Sequence, residues 1–332
     1  MGILFRACLS VVAAAFLWVG NAVAADPVKI KVPWAVTPAH LTPLLFHDKS
    51  KLKHNGKSYD VEVLFLRGSG ENVTALAADE IQIAAVNFQT LHNLIHRANL
   101  DVRVIADVFQ TRKGKAGGEF YVDGNKIKTI ADLKGKRVAV NARGSGVDGA
   151  ARARLAQDGL KDGEDYTIVE MRFAAMLAAL EAGRIDMAFL NLPFSLTAKK
   201  KGYKEMFGLV DVLGEQQTVM WVAKDPWLKA NKAAVTDFLE DAVRQRRWFR
   251  DPANRKEALE ILSKVTKMPA SQYEEWAFTD FDYEHNPNAM PDVALLQKNI
   301  DDLAKTGLVD KTFDVKPKVD LSYLEAALAR LK

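Results

Sequence analysis

With 332 residues, 48% of them hydrophobic, and a net charge of only +4, the chain has enough apolar material for two packed cores and too little charge bias for disorder. Basic residues are scattered among acids, and no Lys/Arg block is interleaved with aromatics, which argues against a nucleic-acid-binding face. The longest basic cluster, Lys199-Lys200-Lys201, lies in a polar stretch beside Gly202 and reads as solvated surface.

The chain begins with a pattern of export. Arg6 precedes an apolar run over residues 9–19, and Ala22-Val23-Ala24 then offers the small residues that suit cleavage before Ala25. The run is too short to anchor the chain, because spanning hydrocarbon takes about 20 apolar residues. A leader over 1–24 is therefore expected, with a soluble exported product. The one cysteine, Cys8, falls inside that leader and lacks a lipoprotein cleavage pattern. Residues 25–332 thus hold no thiol for a disulfide, a thiolate metal site or a nucleophile.

Residues 28–34, VKIKVPW, alternate like a strand and run into Thr37-Pro38, which reads as a helix start with Thr37 as cap and His40 just beyond. A strand over 61–66, the loop Arg67-Gly68-Ser69-Gly70, a helix over 72–79 and a strand over 81–86 follow. The order strand, loop, helix, strand predicts βαβ units on a parallel sheet. Farther on, a strand over 137–140 leads to the loop Asn141-Ala142-Arg143-Gly144-Ser145-Gly146 and a helix from Val147 to Gly159. A strand over 166–171, a helix over 173–182 ended by Gly183, and a strand over 185–190 repeat the earlier unit. After a strand over 218–223 the chain turns helical, at 231–250, 254–265, 270–278, 291–306 and 321–331.

The repetition is audible in the residues themselves. ALAADEIQIAAVNFQ at 75–89 returns as ALEAGRIDMAFLNLP at 179–193, with Ala75/Ala179, Leu76/Leu180, Ile81/Ile185, Ala84/Ala188 and Asn87/Asn191 in one register. Two similar lobes are expected: residues 25–115 with 223–332, and residues 116–222, joined by crossings near 115 and 222 that form a hinge. Loops at the carboxyl ends of the strands then face a shared cleft, the usual ligand position in open α/β sheets.

The loop 143–147 opens a helix, where free N–H groups and a positive dipole end favour an anion. Arg143 offers a planar fork for a carboxylate or sulfonate, Ser145 a hydroxyl, and Gly146 and Val147 a close backbone approach. The string at 67–70 repeats the chemistry with Arg67, Ser69 and Gly70, and reads equally as a plain helix start with an exposed arginine. Asn87 and Asn191 either meet a polar ligand group or pin their own loops. Trp34, Phe88 and Phe194 follow strand ends as candidate apolar walls, which favours an organic ligand over a small inorganic ion; Trp221 and Trp248 read as core. Thr37 and His40 complete the candidate set.

Six histidines raise the question of metal. His92 and His96 are four apart on a helix, but no further ligand is spaced to finish a shell, and His40, His47 and His54 lie too far apart along a helix to share an ion. No metal or cofactor is expected. No nucleophile elbow, phosphate loop or paired carboxylates stand out, and Asn72-Val73-Thr74 falls on a predicted helix start, so its glycosylation pattern is set aside.

The leader, the helix-ending ALxAGxIDxA turn, the run IADLKGKRVAV followed by GSG, and the helical tail after a returning strand resemble the periplasmic substrate-binding proteins of bacterial ABC importers. The branch handling nitrate, taurine, alkanesulfonates and thiamin-pyrimidine precursors is the most similar. Asp79 and Gln82 depart from it, standing where Gly183 and Asp186 keep the pattern in the second copy. The resemblance implies a type II binding-protein fold that closes on a small organic anion by hinge motion. It also implies a monomer in the periplasm that serves an inner-membrane permease without catalysis. The rival readings are an exported enzyme on the same bilobal fold, a cofactor-dependent lyase or transferase, and a sensor subunit reporting occupancy to a membrane receptor.

Overall fold

The computed structural model describes residues 26–305 and 308–332, so the expected leader over 1–24 lies outside the described residues. In chain order, β1 (Val28–Trp34), α1 (Thr42–Leu45), β2 (Tyr59–Phe65), α2 (Ser69–Ala77), β3 (Ala84–Val86), α3 (Phe88–His96) and β4 (Val102–Thr111) build one lobe. The chain then crosses to β5 (Gly118–Val122), β6 (Lys136–Val140), α4 (Gly146–Gln157), β7 (Tyr166–Glu170), α5 (Phe173–Glu181), β8 (Met187–Asn191), α6 (Phe194–Lys200), β9 (Lys204–Gly208) and α7 (Leu209–Leu213). It returns as β10 (Gln216–Lys224) and continues through α8 (Asp225–Ala230), α9 (Lys232–Arg250), α10 (Arg255–Thr266), α11 (Val293–Lys305) and α12 (Ser322–Ala329).

The repeated sequence builds the same corner twice, down to its hydrogen bonds. Glu80 N donates to Ala75 O and Arg184 N to Ala179 O, both at 2.9 Å, closing each helix over a residue of positive φ. That residue is Gly183 (φ 64°) in one copy and Asp79 (φ 59°) in the other. A short polar residue tolerates the left-handed region almost as glycine does, which explains why Asp79 leaves the corner intact. Gln82 stands in for Asp186 in the same way. Lys31 N donates to Gln82 Oε1 at 3.0 Å, and Arg137 N to an Asp186 carboxylate oxygen at 2.9 Å.

Neither lobe is purely parallel. β1 and β2 are parallel, but β10 lies antiparallel between β3 and β4. In the other lobe the order is β7-β6-β8-β5-β9, with β5 antiparallel to both neighbours. β5 and β10 are the strands that enter a lobe across the hinge, without the crossover helix a parallel connection demands, so their reversed sense is a consequence of the crossings. The first crossing runs over 112–117. The second precedes Gln216, because β10 pairs along its length with β4; the expected return near 222 falls inside that strand.

Three further expectations shift. The helix expected at Thr37-Pro38 starts instead at Thr42-Pro43, the second such pair, and residues 36–40 form a turn closed by His40 N to Val36 O at 2.7 Å. Thr37 Oγ1 has no partner among the described residues, so it caps nothing. The helix over 270–278 shrinks to a single 3-10 turn at Ala270–Gln272. The chain beyond it is held in turns by Asp282, whose carboxylate accepts Phe278 N and Tyr283 N, both at 2.7 Å.

The packing separates along the same line. Phe120, Leu133, Val138, Leu155, Met176 and Met187 share one core drawn from residues 120–207. β10 feeds two other cores by alternation, as a strand buried on both faces must. Trp221 and Val219 join Ile30, Phe238 and Phe249, while Met220 and Val222 join Leu91, Val104 and Leu296. Trp248 packs at the edge of the former, so both tryptophans assigned to packing are found there.

Candidate functional site

Where the two lobes meet, strand ends, helix starts and the crossing strands enclose a cleft of about 840 Å³, part of it open to solvent. One lobe supplies Trp34, His40, Gly68, Asn72, Asn87 and Phe88; the other supplies Asn141, Ser145, Gly146, Val147, Phe173, Phe189 and Asn191. The crossing strands and the turn after α10 add Phe109, Thr111, Gln216, Thr218 and Tyr283. Among the described residues, the wall contains no lysine, arginine, aspartate or glutamate.

The expected arginines point elsewhere. Arg143 is exposed, with its guanidinium 2.7 Å from Asp162 and a second donor on Ile168 O. Arg67 pairs with Glu71 one helical turn away. In both loops an acid on the lobe's own surface captures the cation before the cleft does. Gly70 and Phe194 also lie off the wall, Phe194 packing behind it against the core of residues 120–207. Thr37 is buried but does not line the cleft, and the side chain of Ser69 is outside what the structure describes. Arg143→Ala is therefore expected to change solute affinity less than about twofold and stability by less than about 1 kcal/mol, the range of an exposed ion pair. A tenfold loss of affinity on titration would return the arginine to the site.

What the wall offers in place of cations is backbone. The N-caps of α2, α3 and α4, namely Gly68, Asn87 and Ser145, all face the cleft, so three positive helix ends converge on it. Asp148 in the first turn of α4 does not cancel this, since its carboxylate takes Gly144 N and pairs with Arg152 at 2.9 Å. Gly146 and Val147 line the cleft at the α4 end, with the Asn87 amide of the other lobe lying against Gly146.

The two equivalent asparagines have parted roles. Asn87 Oδ1 accepts Thr90 N at 2.7 Å and caps α3, which begins at the very next residue. After Asn191 the chain continues through Leu192-Pro193 before α6 begins, and Asn191 caps nothing. It is 3% exposed, and neither Oδ1 nor Nδ2 has a partner among the described residues. A buried amide without partners is costly, and one that lines a cleft is set to receive a ligand's donor and acceptor.

His40 contributes a neutral ring. Burial lowers its pKa to about 4, it sits 5.6 Å from Phe109, and its Nδ1 has no partner among the described residues. Its loop is anchored by the fully buried His285, whose Nε2 meets Ala39 O at 2.9 Å. The other histidines pack or pair with protein groups. His92 and His96 pack against each other and against Phe313 in tilted and edge-on contacts, with His92 Nε2 meeting Lys311 O. His54 approaches Asp237 and Glu240, but Lys53, Arg244 and Arg330 already pair with those acids.

Phe109, Asn141, Thr111, Phe189 and Tyr283 also line the cleft without standing among the candidates of the sequence, and Asn72 stands there only as part of a glycosylation pattern. Asn141 was visible as the opening residue of its loop, and its signal was overshadowed by Arg143 two positions on. Phe109 and Thr111 reach the wall because β4 runs straight into the crossing, and Tyr283 because the turn after α10 docks on it, with Tyr283 Oη 3.3 Å from Gly117 O.

The family model described as NMT1/THI5 like matches residues 57–245. A search of curated proteins found no match. Among solved structures, the alkanesulfonate-binding protein SsuA of Xanthomonas axonopodis pv. citri, bound to MOPS, superposes with a TM-score of 0.67 at 17% identity, covering 90% of this chain and 99% of that one. The periplasmic nitrate-binding protein NrtA of Synechocystis PCC 6803 gives 0.67 at 18% identity, over 92% and 89%. The desulfurization enzyme DSZB gives 0.63 at 16%, over 92% and 100%. These likenesses establish the fold: two α/β lobes of the periplasmic binding-protein type.

Proposed function

The chain belongs to the NMT1/THI5-like family, and on that premise we propose that it is the solute-binding component of an ABC importer, exported to the periplasm and serving an inner-membrane permease as a monomer. Its lobes are residues 25–111 with 216–332, and 118–213, with 112–117 and 214–215 as the hinge. The solute is a small organic anion with an apolar body. Its charged head meets the helix ends at Gly146 and Val147 and the amide of Asn191, and its body lies against Trp34, Phe88 and the ring of His40. Asn87 and Ser145 hold the helix starts in place, and Arg67 and Arg143 take no part.

The observation that carries this reading is the pairing of an uncharged, aromatic-rich wall with one buried, unpartnered amide. Such a surface binds by fit and hydrogen bonding; the one imidazole on it, His40, is held as a weak base by burial, which lowers its pKa to about 4. The likeness to a desulfurization enzyme keeps catalysis as the second reading, although residues 25–332 contain no thiol.

A thermal-shift panel of organic sulfonates, organic carboxylates and nitrate tests it. An organic anion is expected to stabilise the folded protein by about 2.7 kcal/mol at a hundredfold excess over Kd, seen as a raised unfolding temperature that climbs with the logarithm of concentration, without yielding product. Nitrate, too small to touch the rings, is expected to do little. Stabilisation by nitrate alone, or conversion of the solute, contradicts the proposal.

A further inference from the structure

The two lobes touch across the cleft through a protein–protein contact between residues that line it. Asn141 follows directly on β6 and is 4% exposed. Its Oδ1 accepts the Ser145 hydroxyl at 2.9 Å, and its Nδ2 donates to Arg67 O, in the other lobe, at 3.2 Å. That acceptor stretch is itself fixed. Asn72 Nδ2 donates to Gly68 O at 2.9 Å, while Ala85 N donates to Asn72 Oδ1 at 2.8 Å, tying the loop to β3.

Glycine makes the approach feasible. Gly68 has φ 170°, an extended conformation open to any residue, so its backbone does not require glycine. The space does: a Cβ there would stand 2.3 Å from Asn141 Nδ2. The reciprocal contact has the same form, since a Cβ on Gly146 would lie 2.8 Å from Asn87 Nδ2. Each lobe thus presses an asparagine amide into a glycine hollow of the other. Arg172 over the Phe65 ring, at 5.2 Å, adds a third point of contact between the lobes.

We infer that Asn141 and Gly68 form a latch that joins the N-cap of α4 to the opposite lobe and holds the cleft shut in the absence of solute. Asn141 is a positioning residue: it links Ser145, at the helix end facing the cleft, to closure. A fraction of the protein is closed before solute arrives, and that fraction scales the apparent affinity.

The test needs no solute, so its failure is distinct from failure of the transport reading. In a Cys8→Ser background the chain has no other cysteine, and Glu62→Cys with Glu164→Cys places one label on each lobe. Inter-label distances in the solute-free protein are expected to show a short, closed population. Asn141→Asp keeps the acceptor for Ser145 but turns an oxygen toward Arg67 O, and is expected to cut the closed-to-open ratio at least tenfold. Gly68→Ala is expected to do the same by displacing the amide, and adding Asn141→Ala to it is expected to cost nothing beyond Asn141→Ala alone. Unfolding midpoints confirm that each variant is folded. A wild type with no closed population, or variants with unchanged distances, would overturn the latch.

Discussion

Replacing Asn191 by leucine is expected to weaken solute binding about ten- to a hundredfold, the cost of about 1.5–3 kcal/mol for losing a hydrogen-bonding partner to a charged group. The same substitution is expected to leave the solute-free protein no less stable, or more stable by about 1 kcal/mol, because it removes an unsatisfied amide from a buried position and fills it with an apolar side chain of similar size. The opposite signs are what distinguish a ligand-reading residue from a structural one. Asn191 is itself buried, its amide has no hydrogen-bond partner among the described residues, and it caps no helix, so that amide stabilises nothing described within the chain. Titration calorimetry and urea unfolding of the one variant read both effects. Unchanged affinity, or a stability loss above about 1 kcal/mol, would give Asn191 a packing role instead.

The largest stability effect is expected away from the wall, at the ion pair beneath the hinge. Arg246 and Asp107 are 1% and 0% exposed, with Nη1 3.1 Å from Oδ2, and Arg246 also donates to the carbonyls of Asp107 and Asn286. Gln217 on β10 donates to the other Asp107 oxygen at 2.8 Å and accepts Asp292 N at 2.7 Å. Both strands that cross to the second lobe are therefore anchored on one buried pair. Asp107→Ala strands the guanidinium without a counter-charge and is expected to cost about 3–5 kcal/mol in urea unfolding, whereas Asp107→Leu with Arg246→Met is expected to recover most of it. A loss below about 1 kcal/mol would show that the arginine finds water or another partner.

The pair also carries a pH signature. Burial pushes the Asp107 carboxyl up to about 6 despite the nearby arginine, above the value of about 3.9 for an unfolded aspartate. A raised folded value means that protonation favours the folded state, so this contribution is fully present below the unfolded value and is lost as pH rises through about 6. Asp107→Asn is expected to flatten that part of the stability profile.

The fold was legible in the sequence because its information is local and repeated. The 75–89 and 179–193 copies specify the same helix end, turn and buried strand, and even the departures at Asp79 and Gln82 are substitutions that preserve the backbone bonds. The candidate cleft wall is legible only where position alone decides, as at Trp34, His40, Asn87, Phe88, Ser145, Gly146, Val147 and Asn191, which all line the cleft. Direction was not legible. Arg143 faces outward because Asp162, 19 residues on, folds back beside it, and Arg67 because Glu71 lies one turn below. Nor does a chain with two Thr-Pro pairs announce that the second, at 42–43, opens the helix. Asn87 and Asn191 look alike in the repeat, and only the position of the following helix makes one a cap and the other an open amide.

A crystal structure with the best-stabilising organic anion bound is the most direct measurement of the central claim. The account predicts the solute between the lobes, its head within hydrogen-bond distance of Asn191 and the first turn of α4, its body against Trp34 and Phe88, and both arginines still on their surface acids. Density for the solute outside the cleft, or an Asn191 amide turned away to a protein partner, would contradict it.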